Sequence, residues 1–448
     1  MKGPNPRRSR ERGQILIMTT LALIPMLGMA GVVADLGYMH FINMAAQAAA
    51  EAAAKATVVA VHSSYGASIY SCTGAIVCTA TPGNCDTAAS GTAVYDGCLY
   101  AQQNGFRSAG NQNVTYEANV SSTPPTAPGS GTASYWVTFQ VAQTVPQLFS
   151  AVLGNTSGLV AARSTAALVG GTDCIYALNN SAPDAISVSG SANLVSSCGL
   201  YDNSNNNCAL YSNGSTIVSA TEYDVVGHTC TNPLTPAPNT GVAPVSDPLS
   251  GLVLPASPTY NCNYTNYTAP SNGSTVTLSP GVYCGGINVK NNTYVLTAGT
   301  YILAGGGLTT QDSNSHLTGT GVMFYNTFGD TSSGYQSYSP ISINANSTVN
   351  LSAPNSGTYA GILFFEDHNA PASSDTYGGG ASAMYQGTIY APHAAITMYG
   401  NASSSSGGAQ YTLLIADTIS LVGTTNLNNN YSSLPNDASP IQKVVVLE

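Results

Sequence analysis

The chain has 448 residues and a formal net charge of −10, yet only 7% of its residues are charged, so its polar surface must be built from hydroxyl and amide groups. Five of its ten basic residues precede Gly13; beyond that point five basic residues face nineteen acidic ones, which excludes an electrostatic case for binding nucleic acid. Hydrophobic residues at 43% and 27 tyrosines exclude a disordered chain despite the abundance of Ser, Asn and Gly.

The first element is an apolar helix. Between Arg12 and Asp35 lie 22 residues without a charge, which as a helix span roughly 33 Å, enough for a bilayer core. Basic residues on one flank (Arg7, Arg8, Arg10 and Arg12, with Lys2) predict a cytoplasmic N-terminus and an exported chain after Asp35. Pro25 stands mid-span, where a kink is tolerated. A cleaved signal peptide is the rival, with Gly28-Met29-Ala30 as a passable cut site. The apolar run continues past it, and ten of the sixteen residues from Ala45 to Ala60 are Ala, with Glu51 and Lys55 four apart. That is a second helix-forming stretch, so a retained anchor is favoured.

Arg10-Glu11-Arg12-Gly13-Gln14, the apolar span, Ala34-Asp35-Leu36-Gly37 and then Gln47 in an Ala-rich helix resemble the TadG-like N-terminal segment. That family accompanies the Flp/Tad type of bacterial pilus, the tight-adherence system. The likeness covers about residues 7 to 60, and departs from the family in the stretch Gln47-Ala48-Ala49-Ala50-Glu51, where an acidic residue usually begins the Ala run. It implies a membrane-anchored pilus-assembly or envelope protein and no particular activity. Subunits cut by prepilin peptidases carry Glu five residues after the edge Gly; here Met18 follows Gly13 at that distance. Without that carboxylate there is no charge to set register in a filament, so Met1 to Arg12 is predicted to be retained.

Residues 63–172 read as a small α+β, pilin-like unit. Cys72, Cys78, Cys85 and Cys98 staple a loop-rich start with a turn at Pro82-Gly83-Asn84. A short helix over Ala93–Asn104 follows, then strands over Asn113–Ser122 and Ser134–Val145, a helix opened by Pro146 (PQLFSAVLG) and a strand over Gly158–Val169.

From residue 173 to 448 short segments rich in Val, Ile, Leu, Tyr and Thr alternate with Gly/Asn/Ser turns, and no helix of useful length is predicted. A sandwich, barrel, propeller or solenoid fits; small turn residues and Asn-rich runs favour a right-handed parallel β-helix, although no strict repeat is visible. Seven Pro within residues 231–258 mark a linker or an arm wrapped over the solenoid. Ten cysteines, all after the anchor and none in a Cys-x-x-Cys pair, read as disulfides in an oxidising compartment. The spacings pair Cys174 with Cys198, Cys208 with Cys230 and Cys262 with Cys284, with the first four paired among themselves.

Chemistry is sparse. Glu366-Asp367-His368 is the one acidic cluster with a histidine; it could form a metal or acid/base site of a polysaccharide-active enzyme, though alternation puts Asp367 on the opposite face and a turn is the simpler account. His393 reads as a solvated turn residue, His40 just past the anchor is expected to meet lipid headgroups or water, and His62, His228 and His316 stand beside loops with no nameable partner. The tyrosines at 260, 264, 267, 283, 294, 301, 325, 335, 338, 377 and 385 are expected as half-buried filler ahead of a sugar-stacking surface. No catalytic, cofactor-binding or metal-binding residue is assigned. The expectation is a non-catalytic structural or adhesive protein of the pilus apparatus, whose partners are the membrane and pilus-assembly proteins or a surface polysaccharide. A membrane-tethered carbohydrate-active enzyme is the alternative, and several carboxylates converging in a groove would favour it.

Overall fold

The computed structural model describes residues 11–447 except 66–69, 71, 73, 121–122, 126–132, 191, 256–260, 330–333, 335–336, 380–382, 400–408, 424 and 435–438. Arg7, Arg8 and Arg10, the side chain of Arg12, Tyr260 and Tyr335 lie outside what is described. The chain divides into two compact units: residues 1–61, 71–168 and 444–448 form one, and residues 62–70 and 169–443 the other.

In the first unit, α1 (Glu11–Tyr65) is a single helix of 55 residues, about 80 Å long at 1.5 Å per residue. Its two halves differ. Met18, Leu21, Met26, Met29 and Val33 stand exposed, whereas Ala46, Ala49, Ala50, Ala53, Ala54, Thr57, Val58 and Val61 are fully buried. That second set follows the i, i+3, i+4, i+7 stripe of a helix laid on a core. Small side chains let other elements come close. Gly97 of α2 (Ala93–Gln103) sits so tightly against α1 that a Cβ there would lie 2.1 Å from Thr57 Oγ1 and 2.7 Å from the Ala53 carbonyl.

The sheet of this unit has five strands in the order β1 (Thr79–Asn84), β2 (Gln112–Val120), β3 (Ala133–Pro146), β4 (Ser157–Gly170) and the C-terminal strand Gln442–Leu447. β1–β2 and β2–β3 pair antiparallel. Val114, Tyr116 and Ala118 alternate inward along β2, as a sheet with one buried face requires. Two local expectations need correction. Pro82-Gly83-Asn84 is part of β1, because an edge strand tolerates Pro where its ladder is irregular, here between Thr79 and Gly83. Pro146 closes β3, and only the single turn Ser150–Leu153 is helical.

From residue 169 to 443 the described elements of the second unit are β-strands, and they pair in parallel. Three series of short strands stack. One runs through Asp173–Ala177, Gly199–Asp202 and Tyr223–Val225 on one side. On the other side it continues through residues 412–416, 387–391, Ile362–Glu366, Val322–Thr327 and Gly299–Ala304. A second series includes Ile186–Val188, Leu210–Ser212, Leu308–Thr310 and Ser373–Tyr377, and the third Thr275–Leu278, Thr293–Leu296, His316–Thr320 and Thr348–Ser352. Strands Gly281–Val289, Met384–Met398 and Thr412–Leu421 each pass from one series to the next, so the sheet closes round into a barrel-like ring.

The route of the chain is unusual. It enters at Asp173, stacks outward to Asn239–Thr240, and then leaves the stack through the Pro-rich segment. It re-enters at Tyr264 and stacks back until residues 412–421 pair with Asp173–Ala177 and Ile186–Val188. The Pro-rich arm packs on the outside of the first series: Val245 exchanges hydrogen bonds with Asn203, Tyr359 donates to the Val253 carbonyl, and Asp247 accepts from Tyr390 at 2.6 Å. Leu249 and Leu252 of the arm share a cluster with Met323, Tyr325, Phe365 and Tyr390. Strands of this series are therefore covered on both faces, which is why DCIYA and ILFFE are buried throughout.

Inside, aromatics stack from turn to turn: Tyr264 on Tyr283 at 4.6 Å, Tyr283 on Tyr301 at 5.9 Å, Tyr301 on Phe324 at 5.5 Å, and Phe324 on Phe364 at 5.1 Å. Buried hydroxyls find backbone partners. Tyr283 donates to the Ser279 carbonyl and Tyr294 to that of Asn288. These tyrosines are core, as a buried ring with a satisfied hydroxyl should be. The cysteines lie in five pairs, Cys72–Cys78, Cys85–Cys98, Cys174–Cys198, Cys208–Cys230 and Cys262–Cys284, with Cα–Cα distances between 5.1 and 5.6 Å.

Candidate functional site

Three places hold polar groups in arrangements that packing alone does not demand. The first is Asp35, the first charge after the apolar run. Its side chain is buried and accepts four hydrogen bonds: from the Leu148 N–H at 3.1 Å, the Phe149 N–H at 3.0 Å, the Ser150 N–H at 2.7 Å and the Ser150 hydroxyl at 2.8 Å. The carboxylate thus takes the N–H groups at the start of the turn Ser150–Leu153. Those donors lie more than a hundred residues away in sequence, so nothing local could have revealed why this stretch fails to extend its helix. Four residues earlier, Gly31 lies against the Phe149 ring, and a Cβ there would be 2.6 Å from its atoms. Gln47, another residue of the N-terminal motif, donates to Glu51 at 2.9 Å along α1.

The second place is the Glu366 cluster. Glu366 ends its strand and is 2% exposed; it accepts from the Tyr338 hydroxyl at 2.9 Å and from the His393 N–H at 2.8 Å. Burial pushes its carboxyl up to about 7, more than those two hydrogen bonds hold it down. His393 is a strand residue, not a turn residue, and its Nδ1 lies 3.7 Å from the same carboxylate. Asp367 turns elsewhere: Tyr325, Thr327 and Asn369 all donate to it, and they hold its carboxyl below the usual range against the effect of burial. His368 packs on the rings of Phe365 and Tyr390. The three consecutive residues therefore have three separate sets of partners, and among the described residues no group of three or more His, Cys, Asp and Glu is arranged to hold a metal ion.

The third place, which sequence reasoning missed, is a cavity of about 600 Å³ in the C-terminal unit. Asp173, Glu222, Asp224, Asp247, Tyr176, Tyr201 and Lys443 are among its lining residues. Burial, then the charges of Asp224 and Glu222, push the Asp173 carboxyl up to about 6. Asn239 bridges Glu222 and Asp224 at 3.2 and 2.8 Å. The rings of Tyr176 and Tyr201 stack at 6.2 Å. These acids come from separate turns and the arm, so no spacing in the chain marks them as neighbours.

Among the described residues one helix, Met18–Ser63, is long and apolar enough to cross a membrane, and a large all-β region lies beyond it. Residues 13–60 match the model of the Tad family, described as Flp pilus-assembly TadE/G-like. The matched segment is the part of α1 that carries Asp35 and Gln47. No match was found among curated proteins or among solved structures.

Proposed function

We propose that this chain is a single-pass anchored structural or adhesive protein of an Flp/Tad-type pilus apparatus, with its N-terminus in the cytoplasm and residues 36–448 outside. The observation that carries the reading is the division of α1 within a Tad-matching segment: an exposed apolar half, then a buried Ala stripe that forms the core of the first unit. A helix exposing Met18, Leu21, Met26, Met29 and Val33 to water would be costly, and lipid removes that cost. The pilin-like plan of the first unit is supported by its long helix on an antiparallel sheet. The second unit is read as a right-handed parallel β-helix, supported by its parallel pairings, its aromatic stack and the strong right-handed bias of parallel crossovers.

In the experiment that tests this, tagged full-length protein is crosslinked and extracted from native membranes in mild detergent. Pilus-assembly membrane proteins should co-purify, and should be lost when residues 13–34 are replaced by an unrelated apolar span. Recovery of the protein from the culture medium, or identical partners after the replacement, would overturn it.

The acidic cavity favours a second reading, a membrane-tethered carbohydrate-active enzyme or polysaccharide-binding protein, since several carboxyls converge there and burial raises that of Asp173, the kind of group acid/base hydrolysis uses. Release of reducing ends from envelope polysaccharide, abolished by Asp173→Asn, would establish that reading over the non-catalytic one.

A further inference from the structure

The exposed apolar surface of the first unit is not confined to α1. Leu148 is 76% exposed, Phe149 52% and Leu159 69%. Leu148 and Phe149 lie on the segment between β3 and β4 and Leu159 at the start of β4, where the chain runs along the helix. Three contacts fix their height. Phe149 rests on Gly31, Gly158 on Met39, and Asn43 donates to the Ala161 carbonyl. Position along this segment therefore rises with position along α1, and Phe149 is its lowest point.

The charge-free run ends at Ala34. At about 1.5 Å per residue, Gly31 lies roughly 5 Å inside the outer end of that run. Leu148 and Phe149 share that level, and Leu159, beside Met39, stands roughly 12 Å further out by the same rise. A water-exposed loop has no reason to aim Leu and Phe outward at the height where a helix enters lipid. The Asp35 carboxylate gives the tip its shape. By taking the N–H groups of residues 148, 149 and 150, it leaves those backbone groups satisfied where water is scarce.

We propose that Leu148 and Phe149 dip into the outer leaflet beside α1, so that the first unit sits directly on the bilayer through a second contact latched by Asp35. This rests on the anchor reading and adds to it a lipid-facing surface outside the helix. A lone span leaves a domain free to pivot about its helix. Two contacts set its tilt, and with it the direction in which the unit faces.

The test uses the full chain in phospholipid vesicles, with its single tryptophan changed by Trp136→Phe and one new tryptophan placed at a time. Phe149→Trp reports the tip, Leu23→Trp the exposed apolar half of α1, and Tyr100→Trp the exposed face of α2. Fluorescence quenching is read with doxyl groups near the top and the middle of the lipid chains. Phe149→Trp should be quenched at least twofold more than Tyr100→Trp, and most by the shallow label, while Leu23→Trp is quenched most by the deep one. Quenching of Leu23→Trp with Phe149→Trp no different from Tyr100→Trp overturns the dip and leaves the anchor standing. Quenching of neither overturns both. Should Trp136→Phe unfold the chain, the same comparison is made as added quenching over the native protein, since Trp136 is itself 7% exposed.

Discussion

Glu366 offers the sharpest energetic test. Its carboxyl is pushed from an ordinary 4.5 up to about 7 by burial, so in the folded chain it holds its proton across a range where the unfolded chain has lost it. A group whose folded value is raised contributes stability that is fully present below the unfolded value and lost as pH rises through the folded one. Between pH 4.5 and 7 the folded protein should therefore lose about 3 kcal/mol on this account alone, at 1.36 kcal/mol per pH unit. Asp173, Asp202 and Asp375, each raised to about 6, act in the same direction below pH 6, so the native profile is a sum. Glu366→Gln isolates one member because it cannot ionise. Thermal midpoints of the full chain in detergent, measured from pH 4.5 to 8, should show the variant gaining on the native protein by roughly 6 °C across that window, given about 2 °C per kcal/mol for a domain of this size. A difference in midpoint that stays constant over the whole range would mean that Glu366 is ionised normally and that its burial is not as described.

Three further outcomes follow from packing. Gly97→Ala should lower stability by about 1–2 kcal/mol although Ala favours helices by roughly 1 kcal/mol, because its Cβ would collide with Thr57 and the Ala53 carbonyl; an unchanged or raised melting midpoint would mean a looser crossing of α1 and α2. Phe364→Ala should cost about 3–5 kcal/mol in chemical denaturation by opening the aromatic stack, with Phe364→Leu costing less; equal costs would mean that refilling the site with apolar volume recovers nothing and would contradict this packing account. Replacing Cys262 and Cys284 together by Ser should cost about 2–4 kcal/mol under oxidising conditions and nothing once the native protein is reduced.

The sequence carried the parts of this fold that rest on local physics. The apolar run, the Ala stripe and the strands β2, β3 and β4 follow from periodicity, and the helix at Ala93 follows from its own pattern and the stop at Gly105. The later cysteines lie in pairs 24, 22 and 22 residues apart, a spacing that can be read along the chain. The failures were non-local. Pro146 looked like a helix start, but Asp35 takes the N–H groups a longer helix would have used. The repeat was invisible because the turns differ in length: Thr275 opposes Thr293, while Phe324 opposes Phe364 across a longer excursion. The acidic cavity was hidden for the same reason, since Asp173 meets Glu222 and Asp224 only after two turns of the stack. His393 was misplaced because Glu366, its partner, lies on the preceding turn.

The central claim, a retained single span with the bulk of the chain outside, is tested most directly by protease added to intact spheroplasts carrying the protein with a different tag at each end. The C-terminal tag should be lost, while a short fragment bearing the N-terminal tag and the span from Gly13 to Ala34 stays in the membrane pellet. Protection of both tags would reverse the orientation, and an N-terminal tag missing from the membrane before protease is added would mean that the anchor is cut away.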